Sequence, residues 1–252
     1  MRSLISILRF SLGFCIVAVA SVPIIAALLP LIPWRVARIK VCNFYGKVVG
    51  RAVLACAGAT PLVRNREGID ASMPAIYVTN HTSTLDAFIS IWLCPYGGCG
   101  VFKKEVAWIP FFGQLLLLSG HLLLDRNNTG RAVDALKDMA ALMKAKRLGI
   151  WIMPEGTRSR DGRIGPFKKG FVHIAIAAGL PVVPVAIHSA HRNWPLGPLN
   201  FQPMTLEIDV LPPIDTRTWK EETAADHAAY VHEVLKAGLK EDQRPARIAL
   251  VA

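Results

Sequence analysis

His81 and Asp86 stand five positions apart in the run Asn80-His81-Thr82-Ser83-Thr84-Leu85-Asp86, directly after an apolar, β-rich stretch. Imidazole titrates near neutrality and a carboxylate can hold it in one tautomer, so the pair suits removal of a proton from a hydroxyl. Positions five apart on a regular α-helix lie about 140° out of register, so the two side chains cannot meet if both are helical. The useful arrangement places His81 in a loop, Ser83 or Thr84 as a helix cap, and Asp86 in the first turn, folded back toward Nδ1. Nε2 is then free to act as base. A plainer reading exists, because Ser83-Thr84-Leu85-Asp86 has the spacing of a capping box with Asp in place of Glu.

A second charged turn, Pro154-Glu155-Gly156-Thr157-Arg158-Ser159, closes the apolar run 150–153. Gly156 allows a tight turn, Arg158 can offer a planar fork to phosphate oxygens, and Glu155 can orient a guanidinium. Cys94 and Cys99 are nearby thiols, but their Pro95-Tyr96-Gly97-Gly98 setting carries no base, which argues against a cysteine nucleophile. His188 and His191 have helical metal-ligand spacing without an acidic or cysteine partner close by, so no metal site is expected.

These residues need a scaffold, and the β-rich segments 75–79, 149–153, 181–187 and 205–211 alternate with helix-like stretches. Alternation of this kind predicts an α/β domain, a sheet covered by helices. Residues 131–147 show helical spacing of Val133, Leu136, Ala140 and Met143 with a basic outer face, and a last helix is expected near 220–240.

The 252 residues are 52% hydrophobic, with a mean hydropathy of +0.37. That is high for a freely soluble domain and low for a polytopic membrane protein. The excess is localised: from Phe10 to Trp34 there is no Asp, Glu, Lys, Arg or His. As a helix this run exceeds the roughly 30 Å of a bilayer's hydrocarbon. Pro23, Pro30 and Pro33 argue for breaks, so a single span and two shorter helices meeting near Pro23 both stay open. A cleaved signal peptide fits less well, because the apolar run continues well past Ala18-Val19-Ala20. The expected division is a membrane-anchoring helical segment over 1–60 and a catalytic domain over 61–252.

The formal net charge is +11, and no acidic residue precedes Glu67. Arg2, Arg9, Arg35, Arg38, Lys40, Lys47, Arg51, Arg64 and Arg66 therefore cluster around the apolar segment. Such a flank marks a cytoplasmic membrane face and attracts anionic headgroups. Nucleic acid, the other common partner of so basic a chain, is not expected, since no zinc-finger or aromatic RNA-binding signature accompanies the charge. Five scattered cysteines form no framework and indicate free thiols.

Taken in order, these segments resemble the four sequence blocks of the glycerolipid acyltransferase family, and within it the bacterial 1-acyl-sn-glycerol-3-phosphate acyltransferases. Block one is Asn80 to Asp86. Block two runs from Lys103-Lys104-Glu105 through Trp108 to Gln114 and on to Asp125-Arg126-Asn127. Block three is Pro154 to Ser159 with Phe167-Lys168-Lys169-Gly170, and block four is Val182 to Ile187. Met153 and Phe171-Val172 depart from the commoner residues, both as apolar exchanges that bear on packing.

The resemblance implies a twisted mixed sheet covered by helices and an N-terminal membrane-embedded helical segment at the bacterial inner membrane, with the catalytic domain on its cytoplasmic face. It implies acyl transfer from acyl-CoA or acyl carrier protein to the sn-2 hydroxyl of lysophosphatidic acid, with no other cofactor. His81 and Asp86 would be catalytic. Arg126, Glu155, Gly156, Thr157, Arg158, Lys168 and Lys169 would bind substrate, Glu155 through a guanidinium or a glycerol hydroxyl, with Lys103 and Lys104 either helping or remaining solvated. Apolar surface over 108–112 and 115–118 would take the acyl chain or serve as core. The alternatives are another lyso-lipid acceptor, such as lyso-ornithine lipid, and a non-catalytic protein that binds anionic lipids.

Overall fold

The computed structural model describes residues 2–125, 129–197 and 199–245. Two long helices, α1 (Arg2–Leu28) and α2 (Arg35–Cys56), are joined by a 3-10 turn at Leu29–Leu31. The chain continues through β1 (Ala59–Arg64), α3 (Glu67–Ala71), β2 (Ile76–Thr79), α4 (Leu85–Leu93) and β3 (Gly98–Lys103). Next come α5 (Phe112–Leu118), β4 (Leu122–Leu124), α6 (Thr129–Lys146) and β5 (Gly149–Ile152). It ends with α7 (Gly170–Ala178), β6 (Val182–Ile187), α8 (Ala190–Asn193), β7 (Met204–Val210) and α9 (Ala224–Gly238). β2, β5, β6 and β7 occupy the segments expected from alternation, and α6 and α9 match the two expected helices.

The strands form one mixed sheet in the order β1-β7-β6-β2-β5-β3-β4. Every pairing is parallel except β6 with β7. Both faces are covered, which is why the central strands read as continuous apolar runs. Ile76, Val78, Ile150 and Ile152 pack under α6, α7 and α9, while Tyr77, Trp151, Val183 and Val185 pack under α4 and the end of α2. Pro184 sits inside the central strand β6 without disrupting it. Its carbonyl points toward β7, accepting from Leu211, and residue-by-residue pairing with β7 begins only at Val185, so its missing N–H falls where the ladder has not started.

Pro23 does not break the first helix, contrary to one of the two expectations. α1 runs through it and forgoes only the bond that its N–H would have made one turn back. The reversal comes later, where Pro30 and Pro33 remove two donors within a turn. The stretch Ser3–Leu31 is long and apolar enough to cross a bilayer, and most of its side chains are exposed rather than buried inside the fold.

α2 is bound closely to the rest of the protein. Gly46 and Gly50 let its backbone lie directly on α4: a Cβ at 46 would sit 2.7 Å from the Ile91 carbonyl oxygen, and one at 50 would sit 2.7 Å from that of Phe88. Asn43 adds a polar tie, donating to the Gly98 carbonyl at 2.9 Å and accepting the Gly97 N–H at 2.8 Å. Arg35 and Arg38, expected at lipid headgroups, instead donate to the carbonyls of Gly120 and Leu118 behind α5. An alanine at Gly50 should therefore destabilise the protein by about 1–3 kcal/mol through overpacking. At Gly13 the nearest atom to an added Cβ is 3.7 Å away, so Gly13→Ala should leave the thermal midpoint unchanged or slightly raised. Melting the purified full-length variants side by side checks the contrast.

Candidate active site

Parallel pairing of β2 with β5 decides where the chemistry sits. Val78 lies opposite Ile152, so three residues further along each chain His81 and Glu155 leave the same edge of the sheet as neighbours. Asn80 fixes where the first loop begins. Fully buried, it donates to the Ile187 carbonyl and accepts the Ile187 N–H, both at 2.9 Å, extending the sheet by side chain after the strand has ended.

The expected fold-back of Asp86 is present. His81 Nδ1 lies 3.1 Å from Asp86 Oδ2, with Asp86 in the first turn of α4 and its side chain 0% exposed against 19% for His81. The same oxygen accepts the N–H groups of Thr82 at 2.6 Å and Ser83 at 2.7 Å. One carboxylate thus orders the helix start and orients the imidazole, so a single group has the geometry that both the capping and the chemical readings call for. An ionised carboxylate oxygen accepts only, which puts the imidazole proton on Nδ1 and leaves Nε2 as a lone-pair base.

Glu155 does something the sequence did not suggest. Rather than a guanidinium, its Oε1 accepts the His81 backbone N–H at 2.8 Å and its Oε2 the Gly165 N–H at 3.0 Å. The Ser159 N–H closes the arrangement on the His81 carbonyl at 2.9 Å. Burial pushes the Glu155 carboxyl up to about 7, aided by the nearby Asp86 charge and opposed by the two backbone donors.

A cavity of about 630 Å³ opens beside His81. Gly156, Thr157, Arg158, Lys168 and Lys103 reach it, whereas Lys169 and Lys104 do not line it. Arg158 donates to Thr84 Oγ1, joining the two loops at the mouth. Gly156 has φ +75°, and a Cβ there would meet Lys168 Nζ at 3.1 Å, so glycine serves both the turn and the folded lysine. Lys103 pairs with Glu105 at 3.4 Å and Lys104 with Asp125 at 2.6 Å. Lys169 is exposed at the start of α7. Arg126 lies outside the described residues.

The deeper wall is apolar and includes Phe102, Val106, Phe112, Leu115 and Leu116. The expected acyl surface is therefore divided: Phe112, Leu115 and Leu116 line the cavity, while Trp108, Ile109, Phe111 and Leu117 face outward. Cys42, Tyr45 and Gly46 of α2 complete the wall, a contribution that sequence reading missed. The Gly46-x-x-x-Gly50 spacing was the available signal for a helix packed at backbone distance.

The Thr82 and Ser83 N–H groups are engaged by Asp86, and that of Gly156 by the Met153 carbonyl. Cys94 and Cys99 are buried with their thiols pushed up by desolvation, Cys99 to about 12, so neither offers a thiolate. His188 leaves β6 to pair with Asp209 at 2.8 Å, and His191 lies on α8.

A family model described as Acyltransferase matches residues 61–188. A protein of Limnanthes douglasii named 1-acyl-sn-glycerol-3-phosphate acyltransferase is 37% identical over 96% of this chain and 85% of its own length. One of the same name from Escherichia coli is 36% identical over 66% of this chain and 67% of its own. The solved structure titled 1-acyl-sn-glycerophosphate (LPA) acyltransferase, PlsC, from Thermotoga maritima superposes with a TM-score of 0.76 at 25% identity, covering 94% of each chain. With its sheet, its paired loops and these relatives in agreement, the chain belongs to the acyltransferase family.

Proposed function

We propose that the protein acylates the sn-2 hydroxyl of 1-acyl-sn-glycerol-3-phosphate, taking the fatty acyl group from the thioester of acyl-CoA or acyl carrier protein and releasing phosphatidic acid. One observation carries this reading: an imidazole tied to a buried carboxylate shares a largely apolar cavity with Arg158 and Lys168. The names of the relatives give acyl transfer and the same acceptor.

His81 Nε2 takes the hydroxyl proton as the oxygen attacks the thioester carbonyl, and Asp86 stabilises the imidazolium that forms. Collapse of the tetrahedral intermediate breaks the C–S bond, and His81 returns the proton to the departing sulfur. Thioesters are already activated, so the reaction needs no metal or further cofactor. Arg158, Lys168 and, outside the described residues, Arg126 hold the phosphate, with Thr157 beside them and Lys103 at the rim. Lys104 and Lys169 contribute charge from outside the cavity lining. Glu155 acts as a positioning residue that fixes the His81 backbone.

We further read residues 1–60 as the membrane-anchoring segment and 61–252 as the catalytic domain, on the cytoplasmic face of a bacterial inner membrane. The apolar α1 and its basic flank support this placement.

His81→Ala should lower kcat on lysophosphatidic acid by about 10²–10⁴-fold while the protein still binds lipid; retained turnover would exclude His81 as the base. Arg158→Ala should lower kcat/KM for lysophosphatidic acid by about tenfold or more and affect a phosphate-free acceptor such as lyso-ornithine lipid much less. Equal losses on both acceptors count against phosphate recognition by Arg158. For Glu155 the folded-state carboxyl is raised, so its ionisation opposes folding as pH climbs from about 4.5 to about 7. Its contribution to stability falls across that window by up to roughly 3 kcal/mol. Thermal midpoints measured from pH 5 to 8 should therefore decline more steeply for wild type than for Glu155→Gln, and parallel curves would remove this account.

A further inference from the structure

Internal ties engage some of the N-terminal basic residues and not others. Arg35 and Arg38 are spent on carbonyls behind α5, and Arg64 pairs with Glu207 and Asp209 at 2.6 and 2.9 Å. Lys47, Arg51 and Arg66, by contrast, form no ion pair among the described residues, yet they converge on one hollow of about 470 Å³ with Trp92, Pro61 and Val63. The guanidinium carbons of Arg51 and Arg66 lie 5.5 and 5.0 Å from the Trp92 ring centre. Attraction to the indole holds two like charges close together without neutralising either. No lining residue is shared with the catalytic cavity, which α2 faces through Cys42, Tyr45 and Gly46.

We propose that this hollow, between α2, β1 and α4, is a second lipid site that takes the phosphate of an anionic bilayer phospholipid. Three cations without an internal counter-ion call for an anion, and guanidinium forks suit phosphate oxygens. What makes the occupant a bilayer lipid rather than free phosphate is the surrounding surface. Phe44 and Val48 of α2 and Leu62 of β1 stand out at 62%, 56% and 48% exposure. Along α2, Lys40, Phe44, Lys47, Val48 and Arg51 recur on one exposed face, mixing apolar and basic side chains as an interfacial helix does. Free phosphate would leave that apolar surface wet, whereas a bilayer lipid brings its own acyl region to cover it. α1, long and apolar enough to cross a bilayer, adjoins α2 through one tight turn. The inference rests on membrane attachment and not on the acyl-transfer reading.

The test uses the full chain in detergent micelles with equal phosphatidylglycerol and phosphatidylcholine, followed by native mass spectrometry. Wild type should retain one phosphatidylglycerol in preference, and Lys47→Gln/Arg51→Gln/Arg66→Gln should retain at least about tenfold less. Arg158→Ala should retain as much as wild type, and the triple variant should keep its turnover on micellar lysophosphatidic acid, which separates this hollow from the phosphate site of the reaction. Arg66→Gln alone, in the turn before α3, should lower retention several-fold and serves if the triple variant does not fold. Unchanged retention in the folded variants overturns the proposal. So does release of the lipid by millimolar inorganic phosphate, which would make the hollow a free-phosphate site.

Discussion

Three N–H groups converge on one buried oxygen, Asp86 Oδ2: two from the backbone at Thr82 and Ser83, one from the His81 ring. A carboxylate withdrawn from water must be compensated by donors, and here the donors come from within six residues of chain. That local requirement dictates the shape of the loop. It turns the strand end into a helix start, holds the imidazole in one orientation, and exposes only its far nitrogen to the cavity. In the proposed reaction, a base fixed this way before substrate arrives needs no reorganisation during the step itself.

The second constraint is longer in range. Because β2 and β5 run parallel in adjacent positions, two loops distant in sequence must emerge side by side, as in other sheets of this kind, where sites gather at strand carboxyl ends. Asn80 secures one flank of the first loop to β6, and Glu155 secures its backbone to the second. The two acids near His81 are thus set differently. Asp86 gathers three donors on Oδ2 and has no partner on its buried Oδ1, while Glu155 takes one backbone donor on each oxygen and has its proton affinity raised by burial. Both choices favour rigidity of the histidine over stability of the carboxylates themselves.

Much of this was legible from residue order. The four strands at 75–79, 149–153, 181–187 and 205–211 are dense in β-branched residues, and the five-residue His81–Asp86 spacing admits only a loop-to-helix geometry. β1, β3 and β4 escaped because Pro61, three glycines in or beside β3 and the leucine run of β4 carry no alternation; tertiary pairing makes them strands. Glu155's true partners are backbone N–H groups, which leave no mark in a side-chain pattern. The same is true of the helix-start N–H groups that turned out to be engaged by Asp86. Composition marked residues 10–34 as apolar, but the helical continuity through Pro23 depends on surroundings that composition does not encode.

α2 faces two ways. One side supplies wall to the cavity beside His81, the other carries Lys47, Arg51 and the outward Phe44 and Val48, and between them its glycines seat it against the helix that bears Asp86. With the two backbones in direct contact at Gly46 and Gly50, the wall that α2 gives to the cavity is seated firmly against the helix that bears Asp86. The shape of the apolar space beside His81 is thereby coupled to the placement of Asp86 itself.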